Sequence, residues 1–181
     1  MRKELKESIT IPQGIECKVE GKILTCKKEG VEISRKLTLP GILISLESNN
    51  ITIHTPKGNK NDYKKIKSTI AHIQNMFFGI NNKFTYSLEA CNVHFPMTLK
   101  TEPGKLIINN FLGEKVPRTA KILPQVIMEV KGTKITLTSQ DKEAAGQTAA
   151  NIEKATKIRY RDRRIFQDGI FITSKPEEGV A

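Results

Sequence analysis

The feature that most constrains this chain is that it is written twice. A segment from about Ile9 to Ile80 reappears roughly 84 positions later, from Val93 to Ile165, with the same order of prolines, glycines and apolar residues. Ile9-Thr10-Ile11-Pro12 matches Val93-His94-Phe95-Pro96, and Gly21-Lys22-Ile23-Leu24 matches Gly104-Lys105-Leu106-Ile107. Gly30 and Arg35 match Gly113 and Arg118; after one insertion, Asn50-Ile51-Thr52-Ile53 matches Lys134-Ile135-Thr136-Leu137. Two copies, rather than three or more short ones, indicate a tandem pair of small domains and not a solenoid. The boundaries expected are 1–83 and 84–181. Domains this small bury a modest share of their surface, so the differences between the copies are where a partner should act.

Charge names the kind of partner. The chain carries 30 Lys and Arg against 19 Asp and Glu, a formal net charge of +11, which repels itself unless an anionic partner is present. The excess is spread over both halves, so clustering has to nominate a binding half. No apolar run approaches the 18 residues of a membrane helix, and Met1-Arg2-Lys3-Glu4 leads into no apolar signal core. A soluble, cytosolic protein with no membrane partner is expected. The three cysteines, Cys17, Cys26 and Cys91, form no Cys-x-x-Cys pair. A two-residue turn at Gly21-Lys22 sets Cys17 across from Cys26, and a cytosolic setting favours reduced thiols there.

Periodicity supplies the elements. In the first copy Ile15, Cys17 and Val19 alternate with Glu16, Lys18 and Glu20, the period of a half-buried strand. Further strands are expected at Ile23 to Lys27, Val31 to Leu37, Ile42 to Glu47 and Asn50 to Thr55, separated by turns at Gly30, Pro40-Gly41 and Ser48-Asn49-Asn50. Tyr63, Ile66, Ile70, Ile73 and Phe77 then fall on one helical stripe, predicting a helix of about 16 residues with Asp62 as N-cap and Gly79 as its stop. The second copy predicts strands near 92–101, 104–111, 115–118, 124–130 and 133–138, and a helix from about Asp141 to Lys157. That helix turns small residues inward, Ala145 and Ala149 with Ile152 and Thr156, flanked by Ala144 and Ala150. Gly146 inside it costs about 1 kcal/mol relative to Ala, which a close contact would explain. The fold class expected is α+β, two related domains each with an antiparallel β-sheet packed against one α-helix.

The second copy continues where the first stops. Positions 154 to 164 hold Lys154, Lys157, Arg159, Arg161, Arg163 and Arg164 against one acid, Asp162, with Tyr160 among them. Alternation of Lys157, Arg159, Arg161 and Arg163 with Ile158 and Tyr160 predicts an extended segment with its cations on one side. Arginine offers a planar fork matched to phosphate oxygens, and its plane stacks on bases. Nucleic acid is therefore the partner favoured over a merely solvated charge run, with Lys115 and Arg118 assisting. Six phosphate contacts would give log K a slope of about −4 to −5 against log salt. A second cluster, Lys57, Lys60, Lys64, Lys65 and Lys67, reads either as a solvated helix face or as a secondary contact.

Enzyme signatures are missing. No Gly-x-Ser-x-Gly, His-Glu-x-x-His or Walker loop occurs, and His54, His72 and His94 fall on separate elements with no partner at ligand spacing. No metal, cofactor or small-molecule substrate is expected. Asp162 and Asp168 admit a metal-dependent nuclease as an alternative, but such acids more often orient neighbouring guanidiniums. Gly169 reads as a turn glycine requiring positive φ.

The stretch Arg161-Asp162-Arg163-Arg164-Ile165-Phe166-Gln167-Asp168-Gly169-Ile170-Phe171-Ile172 closely resembles the C-terminal signature of the L-six family of large-subunit ribosomal proteins, in its archaeal form. Ile11-Pro12-Gln13-Gly14-Ile15, the Arg118-Thr119-Ala120 neighbourhood and the helix segment Gly146 to Glu153 agree with that family as well. The bacterial members' Lys-Gly-rich version of the motif is absent, so only Arg161 to Gly169 carries over, with Asp162, Phe166, Gln167, Asp168 and Gly169 as its structural part. The resemblance implies a structural, non-enzymatic protein bound to large-subunit rRNA chiefly through its second domain. It also implies a place beside neighbouring ribosomal proteins near the stalk base, where translation GTPases dock. A free-standing nucleic-acid-binding regulator is the alternative function.

Overall fold

A computed structural model describes residues 3–37, 41–47 and 49–176. Pro40, Ser48 and residues 177–181, on which parts of two predicted turns and of the tail fall, lie outside the described residues, as do Met1 and Arg2. The chain separates into two compact units, one ending at Asn82 and the other beginning at Lys83. Each is α+β, with antiparallel sheets and one long helix.

The first unit contains β1 (Lys3–Thr10), β2 (Glu16–Glu20), β3 (Ile23–Lys28), β4 (Val31–Lys36), β5 (Leu43–Glu47), β6 (Asn50–Gly58) and α1 (Lys60–Asn81). Its strands form two three-stranded sheets, in the orders β1-β6-β5 and β2-β3-β4. Their inward residues Leu24, Ile51 and Ile53 meet Ile66 and Ile73 of α1 in a core from which water is excluded. The turn at Gly21, where φ is +61°, pairs Val19 with Leu24 and sets Cys17 opposite Cys26. Their sulfurs lie 3.0 Å apart as free thiols. The hydrogen bond between them lowers the pKa of Cys17 and, with burial, raises that of Cys26.

The second unit repeats the plan with β7 (Phe84–Cys91), β8 (Thr98–Glu102), β9 (Lys105–Asn109), β10 (Arg118–Lys121), β11 (Ile127–Lys131), β12 (Lys134–Ser139) and α2 (Lys142–Ala155), then adds β13 (Gly169–Ser174). Its sheets run β11-β12-β7-β13 and β10-β9-β8. The added strand pairs antiparallel with β7 and covers its outer edge, whereas the counterpart of β7 in the first unit, β1, is the last described strand of its sheet.

The periodic segments form the predicted kinds of element, with several corrections. β1 and β7 are additional strands, and the residues predicted as a strand from 92 form a connection up to Met97. Register also revises the repeat. Ile9 lies opposite Ile51 and Leu88 opposite Ile135, so Ile9 corresponds to Leu88 and not to Val93. Helix burial has the same offset: Thr69 and Thr148 are both buried and both donate to the carbonyl four residues back, Lys65 and Ala144.

α1 is 22 residues long rather than 16, because its start is fixed about one turn earlier and its end runs past Gly79 to Asn81. The Asn59 side chain accepts from the amides of Asn61 (2.8 Å) and Asp62 (3.0 Å), while the Asp62 carboxylate accepts from the Asn59 amide (3.0 Å). Asp62 is thus the reciprocal partner in a capping box and not the cap itself. Gly79 is buried inside the helix, which ends at Asn82 in extended conformation. Tyr63, predicted to lie inward, is exposed.

In α2 the small-residue face is buried as expected at Ala144, Ala145, Ala149, Ile152 and Thr156, with Thr148 added and Ala150 exposed. Gly146 has its close contact. A Cβ there would stand 3.0 Å from the hydroxyl of Tyr86, whose ring crosses the helix at that point.

Candidate nucleic-acid interface

The cationic segment follows the C-terminal end of α2, and it is not the extended ladder its alternation suggests. Residues 157–168 form an irregular loop, with Tyr160 at φ +59° and a single helical turn closed by the amides of Ile165 and Phe166 on the Asp162 carbonyl (3.2 and 2.9 Å). The reason lies in Asp162, an acid that organises the chain around itself. Its carboxylate accepts from the Arg164 amide (2.9 Å) and from the Arg164 guanidinium (2.8 Å at Nη2), which together hold its pKa below the ordinary carboxylate value.

The other motif residues fix the loop to the unit. Asp168 is buried, and its carboxylate accepts from the amides of Val93 and His94, each at 2.9 Å, and from His94 Nδ1 at 2.6 Å. Burial alone would raise its pKa; the donations from His94 and Val93 more than offset that and hold it at about 2. The Phe166 ring lies 5.0 Å from the His94 ring, and the Arg161 guanidinium lies over the same Phe166 ring at 4.8 Å. Gln167 donates to the Arg164 carbonyl at 3.3 Å. Gly169 opens β13 rather than forming a turn. Its φ is positive as expected, at +157°, and a side chain there would meet the Phe171 ring at 3.1 Å and have to displace it.

Arg118 is placed differently from the other predicted cations. It is half-buried over the Phe111 ring at 4.3 Å, bidentate to Glu114 (2.7 and 2.6 Å), and its Nη1 donates to the carbonyls of Ala155 (2.9 Å) and Lys157 (3.4 Å). That guanidinium closes the C-terminal end of α2 and holds the backbone of the loop's first residue. Its hydrogen bond, and secondarily its charge and that of Arg161, hold the Glu114 carboxyl below its ordinary pKa.

What remains outward is cationic. Lys115, Lys154, Lys157, Arg159, Arg161, Arg163 and Arg164 are exposed, and Tyr160 is fully exposed. Among the described residues, only Arg164 of these seven is in an ion pair, with its side chain still 90% exposed. Lys154, Lys157 and Arg163 also border a cleft of about 940 Å³ whose apolar lining includes Val93, Ala150, Ile158 and Phe171. Glu153 and Asp168 line it too, so three cations stand against two acids there, one of them already engaged by Val93 and His94.

The family model of ribosomal protein L6 matches residues 95–169, from the connection before β8 to the first residue of β13. The large ribosomal subunit protein uL6 of Methanobrevibacter smithii is 43% identical over 171 residues, covering 94% of this chain and 96% of that protein. That of Methanococcus vannielii is 40% identical over 171 residues, covering 94% of each. That of Methanocella arvoryzae is 41% identical over 176 residues, covering 97% of this chain and 99% of that protein. This chain belongs to the ribosomal protein L6 family.

The family match spans the whole cationic loop and Asp168, and begins one residue after the anchoring donors Val93 and His94. Sequence reasoning did not pair His94 with Asp168, although the structure joins them across 74 positions; no local pattern links the two. Asp162 and Asp168, the carboxylates of the nuclease alternative, are committed separately, one to Arg164 and one to three donors of Val93 and His94. No cluster of three or more His, Cys, Asp or Glu suited to a metal occurs among the described residues. In the first unit, Lys65 pairs with Asp62 and Lys67 with Glu7, while Lys57, Lys60 and Lys64 are exposed.

Proposed function

We propose that this protein is a structural constituent of the large ribosomal subunit. In this reading it holds rRNA through its second unit, near the stalk base and the docking region of translation GTPases. One observation carries the RNA assignment: five exposed cations, Lys157, Arg159, Arg161, Arg163 and Arg164, share a loop whose backbone is pinned at Asp162, Phe166 and Asp168, and a sixth, Lys154, stands beside them in the last turn of α2. A pinned loop pays its ordering cost during folding, so its charges meet phosphate preorganised. Lys115 stands with this group, whereas Arg118 positions it. Tyr160 and the cleft floor supply stacking surface. The place near the stalk base rests on the family resemblance. Binding is electrostatic clamping with shape recognition, without bond making, and neighbouring ribosomal proteins complete the environment.

Replacing Lys157, Arg159 and Arg163 by Glu reverses three charges that take no part in bracing the loop. The expected result is loss of the chain from large subunits on a sucrose gradient, with an unchanged circular dichroism spectrum. A variant that still sediments with the subunit in wild-type amount overturns the RNA assignment.

A further inference from the structure

The second repeat fills a slot that the first leaves open. In the second unit β13 pairs with β7, setting Ile170 opposite Ala90 and Ile172 opposite Leu88. Ile170 is completely buried, and its amide donates to Thr156 Oγ1 at 2.9 Å at the end of α2. By strand register Leu88 corresponds to Ile9, so the equivalent pairing line in the first unit runs along Ser8 to Ile11. By helix burial Thr156 corresponds to Phe77. Between that line and that helix face lies a groove of about 550 Å³, lined by Ser8, Ile9, Thr10, Ile70, Gln74 and Phe77 among others. β1 is the last strand of its sheet, so no described strand occupies its outer edge.

We propose that this edge and groove receive an extended polypeptide segment of another protein, which adds a strand antiparallel to β1 as β13 adds to β7. Main-chain hydrogen bonds to the open edge would hold such a segment, and alternate side chains would enter the groove. The chemistry of the occupant follows from its template and from charge. Two aliphatic residues, at positions i and i+2, take the places of Ile170 and Ile172. Running antiparallel, the segment then passes Glu7 and reaches Lys6 and Lys3, exposed cations with no ion pair among the described residues. Carboxylates are therefore expected just after the aliphatic pair. The proposal does not depend on the rRNA assignment, which concerns the other unit.

The test uses the full chain and a synthetic peptide, Gly-Ile-Phe-Ile-Thr-Ser-Glu-Glu, followed by amide resonances and hydrogen exchange. At ten times the dissociation constant, exchange of the edge amides between Lys6 and Ile11 should slow about tenfold. The same peptide N-methylated along its backbone, and the Gln74→Trp chain with its groove filled, should lose the effect, while helix and sheet resonances elsewhere stay put. No change at millimolar peptide overturns the proposal. So does perturbation of these amides by a single-stranded RNA oligonucleotide but not by the peptide, which would make the groove a nucleic-acid site.

Discussion

Asp168→Asn removes one charge from the interior and leaves shape almost unchanged, which makes it the sharpest probe of how the cationic loop is held. The native carboxyl titrates at about 2, against an ordinary 3.8. At about 1.4 kcal/mol per pKa unit, that difference contributes about 2 to 3 kcal/mol at neutral pH. A depressed pKa contributes stability that is fully present above the unfolded value near 4 and disappears as pH falls through the folded value near 2. The loss on substitution should therefore be about 2 to 3 kcal/mol at pH 7 and should shrink towards zero near pH 2. Urea unfolding from pH 2 to 7, read from resonances of the second unit, measures it. RNA affinity supplies a second readout. The variant keeps every exposed cation, so its affinity should fall while the slope of log K on log salt stays the same. A stability loss independent of pH, or a changed slope with unchanged affinity, would refute the reasoning that this carboxylate anchors the loop.

Arg118→Lys keeps the charge but loses the fork on Glu114, the donation to Ala155 and Lys157, and the stack on Phe111. Thermal unfolding should show a loss of about 1 to 3 kcal/mol, with the salt slope of RNA binding altered by less than one contact. Gly146→Ala gains about 1 kcal/mol of helix propensity in an open helix. Here the methyl meets Tyr86 at 3.0 Å, so the midpoint of denaturation should fall rather than rise, and Gly146→Ala combined with Tyr86→Phe should recover part of the loss.

The parts of this fold that were legible in the sequence are those governed by local periodicity. The hairpin through Gly21, with Cys17 opposite Cys26, follows from turn chemistry and alternation alone. The inward Ala145, Ala149 and Ile152 of α2 follow from helical spacing. β1 was harder, since one of its inward-facing positions carries Glu7, held there by Lys67 from the helix. Phe84, Tyr86, Leu88 and Ala90 do show a full strand alternation, but they fall before the segment whose repeat is most visible. At the candidate interface the residue types were readable, while their division of labour was not. Nothing local distinguishes Arg118, spent on Glu114 and two carbonyls, from Arg159 or Arg163, turned to solvent. The same holds for the loop itself. Alternating cations suggest an extended strand, and only the side-chain bonds at Asp162 and the long-range bonds at Asp168 impose a turn instead.

Tyr160 offers the most direct test of whether this loop meets RNA, because it is fully exposed at the crest of the cations. Replacing it with a photoactivatable phenylalanine and irradiating intact large subunits should give a covalent adduct between position 160 and rRNA that survives protease digestion of everything else. Adducts only to protein, or none above the level given by the same probe at exposed Thr25-facing Lys18 in the first unit, would contradict the account.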